Sequence, residues 1–196
     1  MRADLALIHN WIPQGARVLD LGCGDGTLLE ALARDKGVTG YGLEIDQADI
    51  TTCLEKGINV IEQDLDQGLA NIADSTFDLV IMTQALQVLR RPDLILDEML
   101  RVAHECIIAF PNFAYWRHRA YLGFKGRMPV SKALPHAWYD TPNIHLSTFR
   151  DFERLCRDQG HLIIDRAVGN GEHEGHWSSR RWPNLFGQVA IFRIKR

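Results

Sequence analysis

Residues 18–32 read VLDLGCGDGTLLEAL, and the fold prediction starts here. The first four residues are typical of a buried strand in a parallel sheet, and from Thr27 onward the apolar spacing is that of a helix. Between them, Gly22, Gly24 and Gly26 allow a sharp turn and a close approach of the backbone to a ligand. We therefore predict a strand, a glycine loop and a helix, with a ligand site at the carboxyl end of the strand.

The charges around this loop favour a cationic ligand. A dinucleotide-binding loop has the pattern G-x-G-x-x-G/A, whereas this loop is G-x-G-x-G, with Thr27 where the last small residue belongs. Asp20 lies just before the loop and Asp25 within it, and both carboxylates repel a diphosphate. S-adenosylmethionine carries an ammonium and a sulfonium group and fits these charges. We expect Asp20 to hold its methionyl end, with the amides around Gly22 and Gly24 facing it.

Two further acidic positions fit the nucleoside part of this ligand. Glu44 ends the second predicted strand, 18 residues after Gly26, near the spacing at which a carboxylate meets a ribose diol. Asp64 and Leu65 follow the third strand, where the carboxylate can accept the adenine amino group while the leucine covers the ring. Thr83 and Gln84 follow the fourth strand on the methionine side. The predicted cofactor-binding residues are Asp20, Gly22, Cys23, Gly24, Glu44, Ile45, Asp64, Leu65 and Gln84.

Strands and helices alternate along the chain, which predicts an α/β fold. Such alternation requires parallel pairing with right-handed crossovers, hence a doubly wound, mostly parallel sheet of about seven strands with helices on both faces. We expect one domain over residues 1–196, with an insertion at about 111–146. The predicted strands are 18–21, 38–45, 58–61, 77–82, 106–110, 162–168 and 189–194. The predicted helices are 3–11, 27–36, 47–56, 92–102 and one that Thr148 caps and that reaches Gln159.

Composition excludes several classes of protein. The chain has 196 residues, 46% of them hydrophobic, and a net charge of −3, which gives no overall attraction to nucleic acid or membranes. It has no apolar run long enough to span a bilayer, and residues 1–10 lack the pattern of a signal peptide, so a cytoplasmic location is expected. The four cysteines form no C-x-x-C pair, which favours reduced thiols over zinc or disulfides.

The insertion is basic and aromatic. No acidic residue lies between Glu105 and Asp140, and that segment contains five basic residues: Arg117, Arg119, Lys125, Arg127 and Lys132. Its aromatic residues include Phe113, Tyr115, Trp116, Tyr121, Phe124, Trp138 and Tyr139. Four interpretations stay open at this point: a lid over the ligand, a docking face for another protein, an RNA-contacting patch, or a structural cover over the sheet. The net negative charge disfavours RNA.

Two family resemblances follow from these motifs. The D-x-G-x-G-x-G loop, Glu44, Asp64 and the run FDLV at 77–80 occur in the order and spacing of the S-adenosylmethionine-dependent methyltransferase superfamily, which they resemble. A narrower resemblance covers nearly the whole chain. The strings FPNF at 110–113, WR at 116–117, GRMPV at 126–130, WYDTPNIH at 138–145 and DFE at 151–153 resemble the MetW family of methionine-biosynthesis proteins.

The MetW resemblance implies a Rossmann-like methyltransferase fold and a role beside a homoserine O-acyltransferase, as partner or activator. It agrees with S-adenosylmethionine or S-adenosylhomocysteine as the bound small molecule. Charge and composition predict no membrane and disfavour nucleic acid. The alternative is an active methyltransferase that acts on a small molecule or, less favourably, on RNA.

The sequence identifies no catalytic base. Many small-molecule methyltransferases carry a histidine shortly after the fourth strand, where this chain has Gln87. The remaining candidates lie in the insertion and are interpreted as packed or surface residues: His118, His136, His145, Tyr115 and Tyr139. A loop with Glu172, His173, Glu174 and His176 does not have the spacing of a zinc motif, so no metal is expected.

Overall fold

A computed structural model describes residues 3–169 and 181–196 of the chain. In it, a seven-stranded sheet has the order β3-β2-β1-β4-β5-β7-β6. The strands are β1 (Arg17–Leu21), β2 (Thr39–Glu44), β3 (Val60–Glu62), β4 (Phe77–Thr83), β5 (Ala103–Pro111), β6 (Leu162–Gly169) and β7 (Val189–Lys195). Strands β1 to β5 pair in parallel, whereas β7 runs antiparallel between β5 and β6.

The order of the strands reverses between β1 and β4. From β1 the chain proceeds outward through β2 to β3, then returns to the other side of β1 to form β4 and β5. Loops that leave adjacent strands in opposite directions open a crevice at the carboxyl ends of those strands. The glycine loop after β1 and the turn after β4 therefore border the same crevice.

Six helices of nine or more residues lie among the described residues, and none of the described helices is long and apolar enough to cross a bilayer. They are α1 (Ala3–Trp11), α2 (Thr27–Lys36), α3 (Gln47–Glu55), α4 (Pro92–Val102), α5 (Trp116–Lys125) and α6 (Phe149–Gln159). Short helical turns lie at Leu65–Gln67, Leu86–Val88 and Pro183–Phe186. The predicted cap of α6 is confirmed, because Thr148 and Asp151 form a reciprocal capping box.

Hydrophobic side chains are buried on both faces of the sheet. One cluster packs the α4 residues Leu96 and Met99 and the α6 residues Phe149 and Phe152 against one face, with Phe192 of β7 at their centre. The other cluster packs residues of α1 and α2 against the opposite face. This three-layer arrangement confirms the predicted doubly wound, mostly parallel sheet with helices on both faces.

The structure differs from the sequence prediction mainly around the insertion. Strand β5 starts at Ala103, directly after α4, and extends to Pro111, so the first residue of the predicted insertion still belongs to the sheet. No helix was predicted within the insertion, but it contains the ten-residue helix α5. A local pattern for α5 is weak because its long aromatic and basic side chains do not form a distinct apolar face.

Candidate functional site

The glycine loop makes its turn through left-handed backbone conformations. Gly22, Gly24 and Gly26 have φ angles of 70°, 55° and 72°. A Cβ atom on Gly22 would lie 3.1 Å from the Cβ atom of Ala85, in the turn after β4. The loop therefore packs closely against the neighbouring turn, and any side chain at Gly22 combines steric crowding with backbone strain.

The amides of Gly22 and Gly24, which were expected to face the ligand, are both hydrogen-bonded within the protein. The amide of Gly22 donates to the carbonyl oxygen of Leu43 at 2.8 Å, and the amide of Gly24 donates to Oε2 of Glu44 at 2.9 Å. Both donors are thus used to tie the loop to the end of β2. A phosphate-binding loop needs such amides for its anion, so their engagement here disfavours a phosphate ligand further.

Asp20 is the dominant electrostatic feature of the site. Its side chain is 1% exposed, and its Oδ1 atom has no hydrogen-bond partner among the described residues. Burial, reinforced by the negative charge of Glu44, raises the pKa of Asp20 from its ordinary 3.8 to about 7. Asp20 lines a cavity of about 490 Å³ together with Gly22, Cys23, Gly24 and Thr83. A buried, unpaired carboxylate of this kind is stabilised by a cation that enters the cavity.

Asp25, by contrast, already has a cation. Its carboxylate accepts from the Nζ atom of Lys56 at 2.9 Å and from the amide of Thr27 at 3.1 Å, at the start of α2. The ammonium of Lys56, followed by the Thr27 hydroxyl, lowers the pKa of Asp25. The prediction of a cationic ligand, made from the charges of Asp20 and Asp25, therefore depends mainly on Asp20. Lys56 was missed because it lies 31 residues away along the chain.

Cys23 joins the glycine loop to β2 and α3. Its Sγ atom lies 3.9 Å from that of Cys53, a buried residue of α3. Burial, with a smaller contribution from the charge of Asp20, raises the pKa of the Cys23 thiol. Cys23 is thus a packed, protonated thiol. Its packing requires Gly42, where a Cβ atom would lie 2.3 Å from the Cys23 sulfur.

The predicted nucleoside residues lie at the carboxyl ends of β2 and β3. Ile45 and Asp64 line a second cavity of about 690 Å³. Glu44 connects the second cavity to the glycine loop. Its Oε2 atom accepts from the backbone amide of Gly24, and its Oε1 atom accepts from the backbone amide of Ile45 at 2.8 Å. Leu65 was expected to cover a base, but it packs against the core. Ile45 is instead the exposed aliphatic side chain at this cavity.

The turn after β4 completes the crevice. Gln84 has a φ angle of 60°, unusual for a residue other than glycine, and its amide donates to the carbonyl oxygen of Ala109 at 2.7 Å. Gln84 lines a third cavity, next to the one that Asp20 lines. The side chain of Gln87 is buried, and its backbone carbonyl oxygen accepts from the backbone amides of Ile144 and His145. That amide side chain lies where a methyltransferase base was sought.

The histidines of the insertion are placed differently from one another. His118 is buried and its Nε2 atom lies 3.0 Å from the Ser131 hydroxyl; burial lowers its pKa. His136 is exposed and lines the third cavity, and Tyr139 is exposed on the surface. The acidic and histidine-rich loop that contains Glu172 lies in residues 170–180, outside the described residues.

Comparison with protein families decides the membership of the chain. The family model described as methionine biosynthesis protein MetW matches residues 2–194. The chain belongs to the MetW family. The predicted resemblance is thereby confirmed over almost its whole length, and methionine biosynthesis is the process for which the family is named.

Relatives of this MetW-family chain include longer proteins. The bifunctional methionine biosynthesis protein MetXA/MetW of Rhodopirellula baltica is 38% identical over 207 residues, covering all of this chain but 33% of that protein. The ubiquinone biosynthesis O-methyltransferase of Pseudomonas fluorescens strain Pf0-1 is 30% identical over 142 residues, covering 67% of this chain and 61% of that enzyme. The chain thus spans less than two thirds of the length of either relative.

Solved structures confirm the fold. A SAM dependent methyltransferase from Archaeoglobus fulgidus superposes with a TM-score of 0.71 at 19% identity, covering 99% of this chain and 92% of that one. An S-adenosylmethionine dependent methyltransferase from Mesorhizobium loti also gives 0.71, at 16% identity, with 99% and 98% coverage. The MetW-family chain therefore has a Rossmann-like methyltransferase fold, as its sequence predicts.

Proposed function

We propose that this chain binds S-adenosylmethionine or S-adenosylhomocysteine and acts as the partner of a homoserine O-acyltransferase in methionine biosynthesis. The buried, unpaired carboxylate of Asp20 beside the glycine loop is the observation that carries the ligand proposal. A ligand ammonium placed in this cavity gives Asp20 the opposite charge that the protein itself does not provide.

The neighbouring cavity supports the nucleoside end of the same ligand. Asp64 at its edge has a fixed carboxylate, because Oδ1 accepts from the amide of Asp66 at 3.0 Å. Ile45 provides an exposed apolar surface for a base, and Glu44 lies between the two cavities as an acceptor for ribose hydroxyls. The three carboxylates of Asp20, Glu44 and Asp64 therefore favour a positively charged nucleoside over a phosphorylated one.

The affinity for S-adenosylhomocysteine is expected to rise about fivefold as the pH increases from 6 to 7, to rise about twofold more by pH 8, and to level off above pH 8. The ligand ammonium binds the ionised form of Asp20, whose pKa in the free protein is raised to about 7. Below that pH, binding must displace a proton. Isothermal titration calorimetry in buffers of different ionisation enthalpy measures both the affinity and the proton release.

The matched variants are Asp20→Asn, which should lose the pH dependence along with most of the affinity, and Asp158→Asn, an exposed carboxylate on α6, which should retain both. Tight binding of a nicotinamide or flavin dinucleotide, with no heat from S-adenosylhomocysteine, would contradict the ligand proposal.

The partner proposal is supported by a relative and by a surface. In Rhodopirellula baltica a bifunctional protein combines MetXA and MetW in one chain. The surface, here called the aromatic patch, consists of exposed residues of the insertion. Its members are Trp116, Tyr121, Phe124, Met128, Val130, Trp138 and Tyr139. Phe124 is 90% exposed and Trp138 is 74% exposed, which is unfavourable for residues that nothing covers.

Basic residues border the aromatic patch. The guanidinium of Arg117 lies 5.4 Å from the centre of the Trp116 ring, and Lys125 and Arg127 follow at the end of α5. Tryptophan, tyrosine and arginine are the residue types that anchor protein interfaces. The patch therefore fits a protein surface with apolar pockets and an acidic rim, which is the chemistry we assign to the acyltransferase.

Trp116→Ala and Arg127→Ala are each expected to weaken binding of the acyltransferase by about tenfold, since they remove anchors of the patch. Leu54→Ala, on α3, is the matched control, because Leu54 is an exposed apolar residue outside the insertion. Surface plasmon resonance with the purified acyltransferase measures the affinities. Equal turnover by the acyltransferase with and without this protein would refute the activator role.

An active methyltransferase is the second candidate. Two observations favour it. The third cavity is lined by Gln84, which we predicted to lie near the methionine part of the ligand, and the chain is similar to ubiquinone biosynthesis O-methyltransferases. Methyl transfer from a sulfonium needs alignment more than a base, so the buried amide of Gln87 does not exclude it. Transfer of label from S-adenosylmethionine to a component of cell extract, abolished by Asp20→Ala, distinguishes this activity from binding alone.

A further inference from the structure

The start of α2 is capped by a carboxylate of the glycine loop. Gly26, the N-cap residue of α2, has no side chain with which to cap the helix. The residue before it, Asp25, accepts from the amide of Thr27 at 3.1 Å and from the hydroxyl of Thr27 at 2.7 Å. A helix N-terminus carries unpaired amides and the positive end of the helix dipole, which together favour an anion. The carboxylate of Asp25 is the anion that the start of α2 holds.

An ammonium group from the end of α3 contacts the same carboxylate. The Nζ atom of Lys56, the C-cap residue of α3, donates to Oδ2 of Asp25 at 2.9 Å, to the carbonyl oxygen of Asp25 at 2.7 Å and to Oγ1 of Thr27 at 3.1 Å. Its side chain is 24% exposed. Two of these three contacts do not involve the carboxylate, so the ammonium is still held at the loop when that carboxylate is removed.

These groups are the donors from which phosphate sites are built. An amide at a helix start, a hydroxyl and a lysine ammonium bind phosphate in many nucleotide-binding proteins. Asp25 and Thr27 line the same cavity as Asp20, so the donors lie where the proposed ligand binds. In this chain the carboxylate of Asp25 occupies them. A phosphate that enters the cavity meets a negative charge and finds the donors of Thr27 and Lys56 already used.

We propose that Asp25, held in place by Lys56, is a specificity-determining residue that excludes phosphorylated nucleosides from this cavity. Asp20 attracts a cationic ligand, whereas Asp25 fills the position that the phosphate of an anionic ligand would take. The neutralised charge of Asp25 thus has a role other than attraction of a cation. The inference rests on the proposed function for the identity of the accepted ligand, whereas the exclusion of phosphate is tested separately.

Asp25→Ala is expected to bind ADP at least about tenfold more tightly than the parent protein, because it frees charge-assisted donors for a phosphate. Isothermal titration calorimetry with magnesium-free ADP measures the gain. The titrations are made at about pH 6, where Asp20 keeps most of its proton because burial raises its pKa to about 7. Adding Lys56→Met to Asp25→Ala should remove most of the gain, since methionine retains the stem and lacks the ammonium.

Asp49→Ala is the matched control. Asp49 is another carboxylate near the loop, with its Oδ2 atom 3.9 Å from the position of a Cβ atom on Gly24, but it does not line the cavity. Its replacement should leave ADP binding unchanged. Asp25 is exposed, so its replacement does not disturb the core, and urea unfolding checks that each variant is folded.

Equal affinity of Asp25→Ala and the parent protein for ADP overturns the proposal. So does an equal gain in Asp49→Ala, which would assign the effect to the loss of any negative charge near the loop, or a gain that Lys56→Met does not reduce. Titration of the parent protein with S-adenosylhomocysteine tests the proposed function instead. Its failure there would contradict the ligand proposal, whereas the ADP titrations alone decide the role of Asp25.

Discussion

The Asp20→Asn variant is expected to be more stable than the parent protein at about pH 8 without ligand, by on the order of 4 kcal/mol. Burial, with help from Glu44, raises the pKa of Asp20 from 3.8 to about 7. Each unit of pKa corresponds to about 1.36 kcal/mol. Above pH 7 the folded parent protein therefore holds an ionised carboxylate that would be far better solvated in the unfolded chain. Asparagine has nearly the same shape and no charge to desolvate.

The stability difference between Asp20→Asn and the parent protein depends on pH. Below pH 3.8 the carboxyl group is protonated in both states, and Asp20 costs the parent protein nothing. Between 3.8 and about 7 the folded state binds more protons than the unfolded state, so the stability of the parent falls as the pH rises. Urea unfolding of both proteins between pH 4 and 8 measures the growing difference.

Asp78→Asn is the control with the opposite sign. Its hydrogen-bonded pair with Arg17 lowers the pKa of Asp78, so this variant should lose stability at pH 8 where Asp20→Asn gains it. If Asp20→Asn were instead less stable than the parent at pH 8, the ionised carboxylate would have to be compensated within the protein. The ligand argument would then lose its basis.

The loss of stability from the ionised, buried carboxylate of Asp20 is explained by a ligand that compensates its charge. Proteins commonly retain groups that reduce stability where function needs them. The ammonium of a bound ligand compensates the carboxylate, so adding S-adenosylhomocysteine should reverse the order of stability of the two proteins.

The sequence was sufficient for those parts of the fold that depend on local patterns. Apolar runs identify the central strands, and the glycine loop with the helix from Thr27 identifies the crevice. The Thr148 cap was predicted correctly because a capping box is complete within four residues. In each case the physical cause lies within a few residues of its effect.

The parts that were missed depend on contacts between distant segments. Nothing near Gly24 in the sequence shows that its amide binds Glu44, and nothing near Asp25 shows that Lys56 neutralises it. Leu65 and Ile45 were both predicted to bind the cofactor, yet Leu65 is partly buried against the core and Ile45 is exposed. Distances between elements determine these outcomes, and a single sequence contains no direct information about such distances.

Gly42→Ala is expected to weaken binding of S-adenosylhomocysteine by at least about 100-fold and to destabilise the protein by about 3 kcal/mol. Gly42 pairs with Asp20 in the sheet, and a Cβ atom on it would lie 2.3 Å from Sγ and 2.8 Å from Cβ of Cys23. Cys23 cannot move aside easily, because its amide donates to Leu43 at 3.2 Å and the neighbouring Gly22 is held by the same carbonyl. The added methyl group therefore displaces the glycine loop.

A second substitution tests this steric explanation directly. Cys23→Gly removes the two atoms that the new methyl group would overlap and leaves Cδ1 of Leu29 at 3.4 Å, an ordinary contact. The double variant Gly42→Ala with Cys23→Gly should therefore recover binding to within about tenfold of the parent, by relief of overpacking. Gly123→Ala is the control: a Cβ atom there meets nothing within 4 Å, so binding should be unchanged, and alanine should stabilise helix α5 by up to about 1 kcal/mol. Calorimetry and urea unfolding of the four variants decide the matter: a double variant no better than Gly42→Ala would show that the loop is displaced for a reason other than contact with Cys23.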